Sequence, residues 1–141
     1  FADDEAGRPI IDALIAAHRP THVLVMEGTN DAYVDPGRTD PRVSRDAYAS
    51  NLGRIVEKLR AAGVVPILMT EPAWGQNAAP DGSGAHPDIR LGDYMEACRE
   101  VAARLDVPLV DHHAAWPRLP PDRISASGPP TSAIRTRPAT G

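Results

Sequence analysis

Hydrophobic residues recur at two different spacings between Pro9 and Trp116, and segments with the two spacings alternate along the chain. Three segments place apolar side chains three and four residues apart, which is typical of helices that bury one face. Three other segments are short runs of apolar, often β-branched residues, which suit strands buried in a parallel sheet. Helices and strands are therefore predicted to alternate, as crossover connections onto one parallel sheet require.

The predicted helices are bounded by residues that commonly start and stop helices. The first is predicted over residues 9–18, with proline in its first turn and Pro20 beyond its end. The second follows Ser44, a favoured N-cap, and stops at Gly63. The apolar stripes are Ile10, Ile11, Leu14 and Ile15; then Tyr48, Leu52, Ile55, Val56 and Leu59; then Tyr94, Cys98, Val101, Ala102 and Leu105.

Strands are predicted over residues 22–26, 64–69 and 107–110, the last ending at Asp111. Polar, turn-rich stretches over 28–42 and 71–90 are predicted to be long loops that leave the first two strands. Ligands of open parallel sheets bind beyond the carboxyl ends of the strands. Candidate site residues are therefore sought in the loops after these three strands.

The composition excludes several classes of protein but does not indicate a function. Hydrophobic residues make up 42% of the 141 residues and the net charge is −4, so we expect a globular domain that does not bind nucleic acid. No apolar run approaches the roughly 20 residues of a transmembrane helix. The single cysteine, Cys98, excludes a disulfide framework and a multi-cysteine zinc site. No motif indicates a cofactor or a metal.

The loop after the first strand reads Glu27-Gly28-Thr29-Asn30-Asp31 and is the strongest candidate for chemistry. Gly28 allows a tight exit from the strand, and the Asn30 amide is the type of group that stabilises an oxyanion in acyl transfer. The alternative is that Asn30 and Asp31 only form an Asx-turn or a cap.

The segment from Pro20 to Asp31 resembles the third conserved block of the SGNH hydrolases, the GDSL-type esterases and lipases. Its diagnostic motif is Gly28-x-Asn30-Asp31, and the likeness covers residues 7–117. The resemblance implies a three-layer α/β/α, flavodoxin-like parallel sheet, here incomplete. It also implies that Asn30 is the catalytic oxyanion donor, that Gly28, Thr29 and Asp31 form the oxyanion loop, and that the substrate is a small-molecule ester.

The family also implies a nucleophilic serine in a Gly-Asp-Ser motif, and this motif does not occur in the chain. The family's Asp-x-x-His pair near the C-terminus is absent as well. Together with the start at Phe1, these absences predict a fragment of a serine acylhydrolase that is inactive as written. The alternative hypothesis is a non-catalytic, flavodoxin-like binding module.

The hydrophobic pattern stops after Trp116, so we divide the chain into a partial domain over residues 1–117 and an irregular tail over 118–141. A reading frame shifted by one base would let Pro130-Thr131 encode aspartate and Ala133-Ile134 encode histidine. The shifted frame is compatible with Asp-x-x-His-Pro-Asn-Ala-Ala-Gly. The hypothesis is therefore that residues from about 126 onward are an aberrant reading of the catalytic block.

Five other features are weighed against simpler interpretations. His86 is interpreted as an exposed loop residue rather than a catalytic one, and Asp111 as a cap of the following turn rather than a metal ligand with His112 and His113. Cys98 falls on an apolar stripe and is interpreted as a packed small hydrophobe. The remaining two, Tyr33 and Trp74, lie in the loops over the predicted crevice. They are candidate pocket residues or, equally, surface aromatics.

Overall fold

A computed structural model describes residues 10–116. The predictions about Phe1 and about the tail over 118–141, including its reading frame, concern residues outside this range. The chain forms a parallel α/β sheet flanked by helices, so the predicted fold class is confirmed. Its elements are α1 (Ile10–His18), β1 (His22–Met26), α2 (Thr29–Ala32), α3 (Arg45–Ala61), β2 (Val65–Thr70), α4 (Pro87–Arg104), β3 (Leu109–Asp111) and α5 (His112–Ala115).

The two long helices begin where backbone N–H groups find side-chain partners. The hydroxyl of Ser44 accepts a hydrogen bond from the Ala47 N–H at 3.2 Å, which confirms the predicted cap of α3. The prediction of a loop over residues 71–90 is wrong at its C-terminal end, because helix α4 already begins at Pro87. The His86 ring caps this helix, and proline fits its first turn because the missing N–H has no partner to lose there.

The polar stretch after β1 also differs from the prediction, because residues 29–32 form the single helical turn α2 within the expected loop. Strand β2 lies one residue later than predicted, and β3 is confined to three residues. Such short shifts arise because periodicity locates an element better than its ends.

The three strands lie in the order β1-β2-β3, and both neighbouring pairs are parallel. In this register Met26 pairs with Met69 and Met69 with Val110, so the carboxyl ends of all three strands meet at one edge of the sheet. The loops that follow β1 and β2, and helix α5 after β3, are thereby brought together.

Helices α3 and α4 pack together on one face of the sheet and enclose the core. The predicted stripes on both helices are buried except for Leu105, which is half-buried, whereas on α1 only Ile11 is buried. Residues 10–116 contain no helix that covers the other sheet face. That face exposes apolar side chains of all three strands: Leu24, Met26, Val65 and Val110.

Candidate active site

Gly28 makes the tight exit from β1 that the sequence predicted. Its φ is +138°, a conformation that side chains other than hydrogen rarely adopt. A Cβ at this position would lie 2.6 Å from Cε of Met95 and 3.3 Å from the Tyr48 hydroxyl. Tyr48 in turn donates a hydrogen bond to the carbonyl of Glu27 at 2.8 Å. Gly28, at the start of the candidate oxyanion loop, therefore packs closely against side chains of α3 and α4.

Thr29 anchors the same loop to the end of the neighbouring strand. Its backbone N–H donates to Oε1 of Glu71 at 3.0 Å, and its hydroxyl donates to Oε2. The Glu71 N–H contacts the sulfur of Met95 at 3.0 Å. Sequence reasoning did not identify Glu71 as part of the site, because its partner lies 42 residues away along the chain.

Asn30 lies exposed on α2, at the carboxyl edge of the sheet. Its side-chain oxygen accepts a hydrogen bond from Nη1 of Arg42 at 3.3 Å. The N-terminus of α2 has no side-chain cap, so neither Asn30 nor Asp31 serves as the cap that was the simpler interpretation. No residue between 10 and 116 accepts a hydrogen bond from the two N–H donors of the carboxamide.

Two carboxyl groups of the loop after β1, those of Glu27 and Asp31, have raised pKa values. Burial raises the pKa of Glu27, and the neighbouring Asp31 and Glu71 carboxylates add to the shift. Burial also raises the pKa of Asp31, again with a contribution from Glu71. Within residues 10–116, no group of three or more His, Cys, Asp or Glu side chains is arranged to hold a metal ion.

The structure brings the two candidate pocket aromatics together. The ring centroids of Tyr33 and Trp74 lie 6.2 Å apart, with the planes inclined by 31°. The Arg42 guanidinium lies 5.1 Å from the centroid of the Tyr33 ring. The backbone N–H of Trp74 donates to the Asp88 carboxylate at the start of α4, at 2.7 Å. Both rings are half-buried, and they form one aromatic wall between the loops after β1 and β2.

His86 does not form a catalytic pair with Asp81. The Asp81 carboxylate accepts from the Ser83 N–H at 2.9 Å and from its hydroxyl at 2.5 Å. The His86 ring accepts from the Asp88 N–H at 3.3 Å, so this residue is a half-buried helix cap and not the exposed loop histidine predicted. A cavity of about 110 Å³ lies here, and none of its lining residues belongs to the loop that carries Asn30.

Asp111 is a structural residue at the end of β3. Its carboxylate accepts from the Ala114 N–H at 3.1 Å, which confirms the predicted cap. It also accepts from the hydroxyl of Thr70 at 2.8 Å and from Nε of Arg99 at 2.9 Å. The Arg99 guanidinium and these hydrogen bonds hold the pKa of Asp111 well below its usual range.

Cys98 is packed in the core, as predicted. Only 1% of its surface is exposed, and burial raises the pKa of its thiol to about 11. A buried, protonated thiol is a poor nucleophile.

The chain matches the model of the GDSL-like Lipase/Acylhydrolase family over residues 4–130, and it belongs to that family. Among curated proteins, it is 33% identical over 115 residues to an uncharacterized lipoprotein, YqeF, of Bacillus subtilis (strain 168). That alignment covers 67% of this chain and 44% of the relative. The chain thus spans less than half the length of this relative.

Solved structures support the fold. A catalytic mutant of Axe2, an acetylxylan esterase from Geobacillus stearothermophilus, superposes with a TM-score of 0.54 at 21% identity, over 77% of this chain and 52% of that one. A second Axe2 mutant gives 0.52 at 20% identity, over 81% and 58%. At such identities the likeness shows a common fold, and the shared part is about half of Axe2.

No helix among residues 10–116 combines the length and the apolar character needed to span a bilayer.

Proposed function

We propose that this chain supplies the oxyanion-binding side of a serine acylhydrolase that cleaves carboxylic esters by acyl transfer. The observation that carries the proposal is the placement of Asn30 in Gly28-x-Asn30-Asp31, exposed at the carboxyl edge of the sheet in a member of the GDSL-like family. Asn30 would donate from Nδ2 to the negative oxygen of the tetrahedral intermediate, where preorganised donors contribute most.

The chemistry of the proposal needs a nucleophile and a base besides Asn30. A serine hydroxyl would attack the acyl carbon while a histidine takes its proton, and the proton would then pass to the leaving alcohol. Of the three described serines, Ser44 caps α3, Ser50 lies exposed on α3 and Ser83 donates to Asp81. Since the chain contains no Gly-Asp-Ser motif, we propose that the 141 residues alone do not turn over an ester.

The rigid backbone around Asn30 supports the oxyanion role. Gly28 is packed against Met95, and Thr29 is bound to Glu71 by two hydrogen bonds. A donor held by its surroundings before the reaction costs little reorganisation when charge develops on the substrate. Tyr33 and Trp74 would form one wall of the substrate pocket beside this donor.

Hydrolysis of p-nitrophenyl esters, from acetate to octanoate, tests the proposal. The full-length product of the gene that encodes this chain, with the Asp-x-x-His block in frame, is compared with the 141-residue chain and with an albumin control. We expect turnover by the full-length product and none above albumin by the chain alone. Absence of turnover of every ester by the folded full-length product would contradict ester hydrolysis and favour the binding-module alternative. Turnover by the chain alone would contradict its proposed inactivity.

A further inference from the structure

The guanidinium of Arg42 contacts Asp35 and Tyr33 in addition to Asn30. Its Nε donates to the two carboxylate oxygens of Asp35 at 3.0 and 3.2 Å, and Nη2 donates to Oδ1 at 2.7 Å. Its flat face lies over the Tyr33 ring, an arrangement that favours a planar cation. This leaves Nη1 to bind the Asn30 oxygen.

The backbone of Arg42 is held beside α2 independently of its side chain. The Arg42 N–H donates to the carbonyl of Tyr33, and the Val43 N–H donates to the carbonyl of Asp31, both at 3.1 Å. Replacing the side chain therefore removes the guanidinium while these two backbone hydrogen bonds keep the segment in place.

The chemistry of the pair determines which end of the Asn30 amide faces outward. A guanidinium carries only donors, so the group that meets Nη1 has to be the oxygen. The amide nitrogen then points away from Arg42. An exposed asparagine without such a partner would present oxygen and nitrogen alternately, and an oxygen turned toward an oxyanion repels it.

We propose that Arg42 is a positioning residue that holds the Asn30 carboxamide by its oxygen and so keeps Nδ2 directed at the oxyanion. The inference rests on the proposed function, because it concerns the same donor. Arg42 acts through Asn30 and does not touch the reacting atoms. Asp35 and Tyr33 serve the same end by holding the guanidinium.

A double-mutant cycle in the full-length product tests this inference. Arg42→Ala is expected to lower kcat about tenfold with KM changed less than about twofold, because the donor is misoriented rather than absent. Arg38→Ala, which removes an exposed arginine of the same loop, is expected to leave kcat unchanged. Asn30→Ala and the Asn30→Ala/Arg42→Ala double variant are expected to have the same kcat. If the double variant shows the full combined loss of kcat of the two single variants, the proposal is overturned. An unchanged kcat in Arg42→Ala would overturn it as well.

A second measurement separates this inference from the proposed function. The side-chain NH₂ resonances of Asn30 are recorded by NMR in the 141-residue chain and in the Arg42→Ala and Arg38→Ala variants. We expect them to move toward random-coil positions in Arg42→Ala and to stay in place in Arg38→Ala. Unmoved resonances in Arg42→Ala would overturn the positioning role even if the enzyme is active. If the resonances move but the wild-type product hydrolyses no ester, the proposed function fails while the Arg42–Asn30 contact stands.

Discussion

The carboxylate of Glu71 accepts hydrogen bonds from both the backbone N–H and the hydroxyl of Thr29. These bonds link the loop after β2 to the loop after β1. The two residues follow neighbouring parallel strands whose carboxyl ends meet. This cross-link fixes the residue immediately before Asn30, so the candidate oxyanion donor starts from a restrained backbone.

Replacing Glu71 by alanine is expected to lower the free energy of unfolding by about 1.5–3 kcal/mol, the range for hydrogen bonds to a charged group. The Thr29 amide is also expected to lose protection in hydrogen exchange. Urea unfolding of the chain measures the first effect and NMR-detected exchange the second. Glu57→Ala, at an exposed position on α3, serves as control and should change neither. Wild-type stability and exchange in Glu71→Ala would show that the cross-link contributes nothing.

Gly28→Ala is expected to destabilise the chain by about 1–3 kcal/mol, because it combines an unfavourable φ with contact between the new methyl group and Met95. Gly63→Ala is the matched control: its φ is +73° and open space surrounds it, so it tests backbone strain alone. Urea unfolding should rank Gly28→Ala as clearly the more damaging substitution. Equal losses in the two variants would contradict the packing described around Gly28.

The Asp111 carboxylate is expected to make stability depend on pH. Its pKa is lowered in the folded chain, so its contribution is fully present above the unfolded pKa of about 4 and is lost as pH falls below that value toward the folded pKa. Asp111→Asn should therefore cost about 1–2 kcal/mol at pH 7, and less at pH 3. Urea unfolding at the two pH values is the measurement, with the exposed Asp93→Asn as control. A cost that is the same at both pH values would exclude the ionised network.

Cys98 provides an internal probe of the core, because it is the only cysteine in the chain. Its thiol is buried and its pKa is raised to about 11, so a thiol reagent at pH 8 should react slowly with the folded chain and rapidly in urea. The rate of absorbance change with an aromatic disulfide reagent measures this difference. Equal rates with and without urea would contradict the packing of α4 on the sheet.

The main elements were predictable because each carries its own periodic signal. The stripe from Tyr48 to Leu59 predicts α3, and Ser44 marks its start. Helix α2 escaped prediction because it is a single turn without a side-chain cap. The start of α4 was missed because its cap is a histidine, which is not among the residues that commonly cap helices.

The candidate site was predictable only in part, for a related reason. Asn30 could be placed at the carboxyl edge because it follows a recognisable strand in a recognisable motif. Arg42 contacts Asn30 from 12 residues away along the chain, and Glu71 binds the adjacent Thr29 from 42 residues away. No local pattern encodes such contacts, because they depend on how the loops pack after the strands have paired.

The most direct test of the account is the kinetics of Asn30→Ala in the full-length product, with the exposed Asn51→Ala of α3 as matched control. Because Asn30 is exposed, its truncation should leave the thermal unfolding temperature unchanged. The account predicts that kcat for p-nitrophenyl acetate falls about 10²- to 10³-fold, with KM changed only a fewfold. A wild-type kcat in Asn30→Ala would contradict the role of this residue as the oxyanion donor.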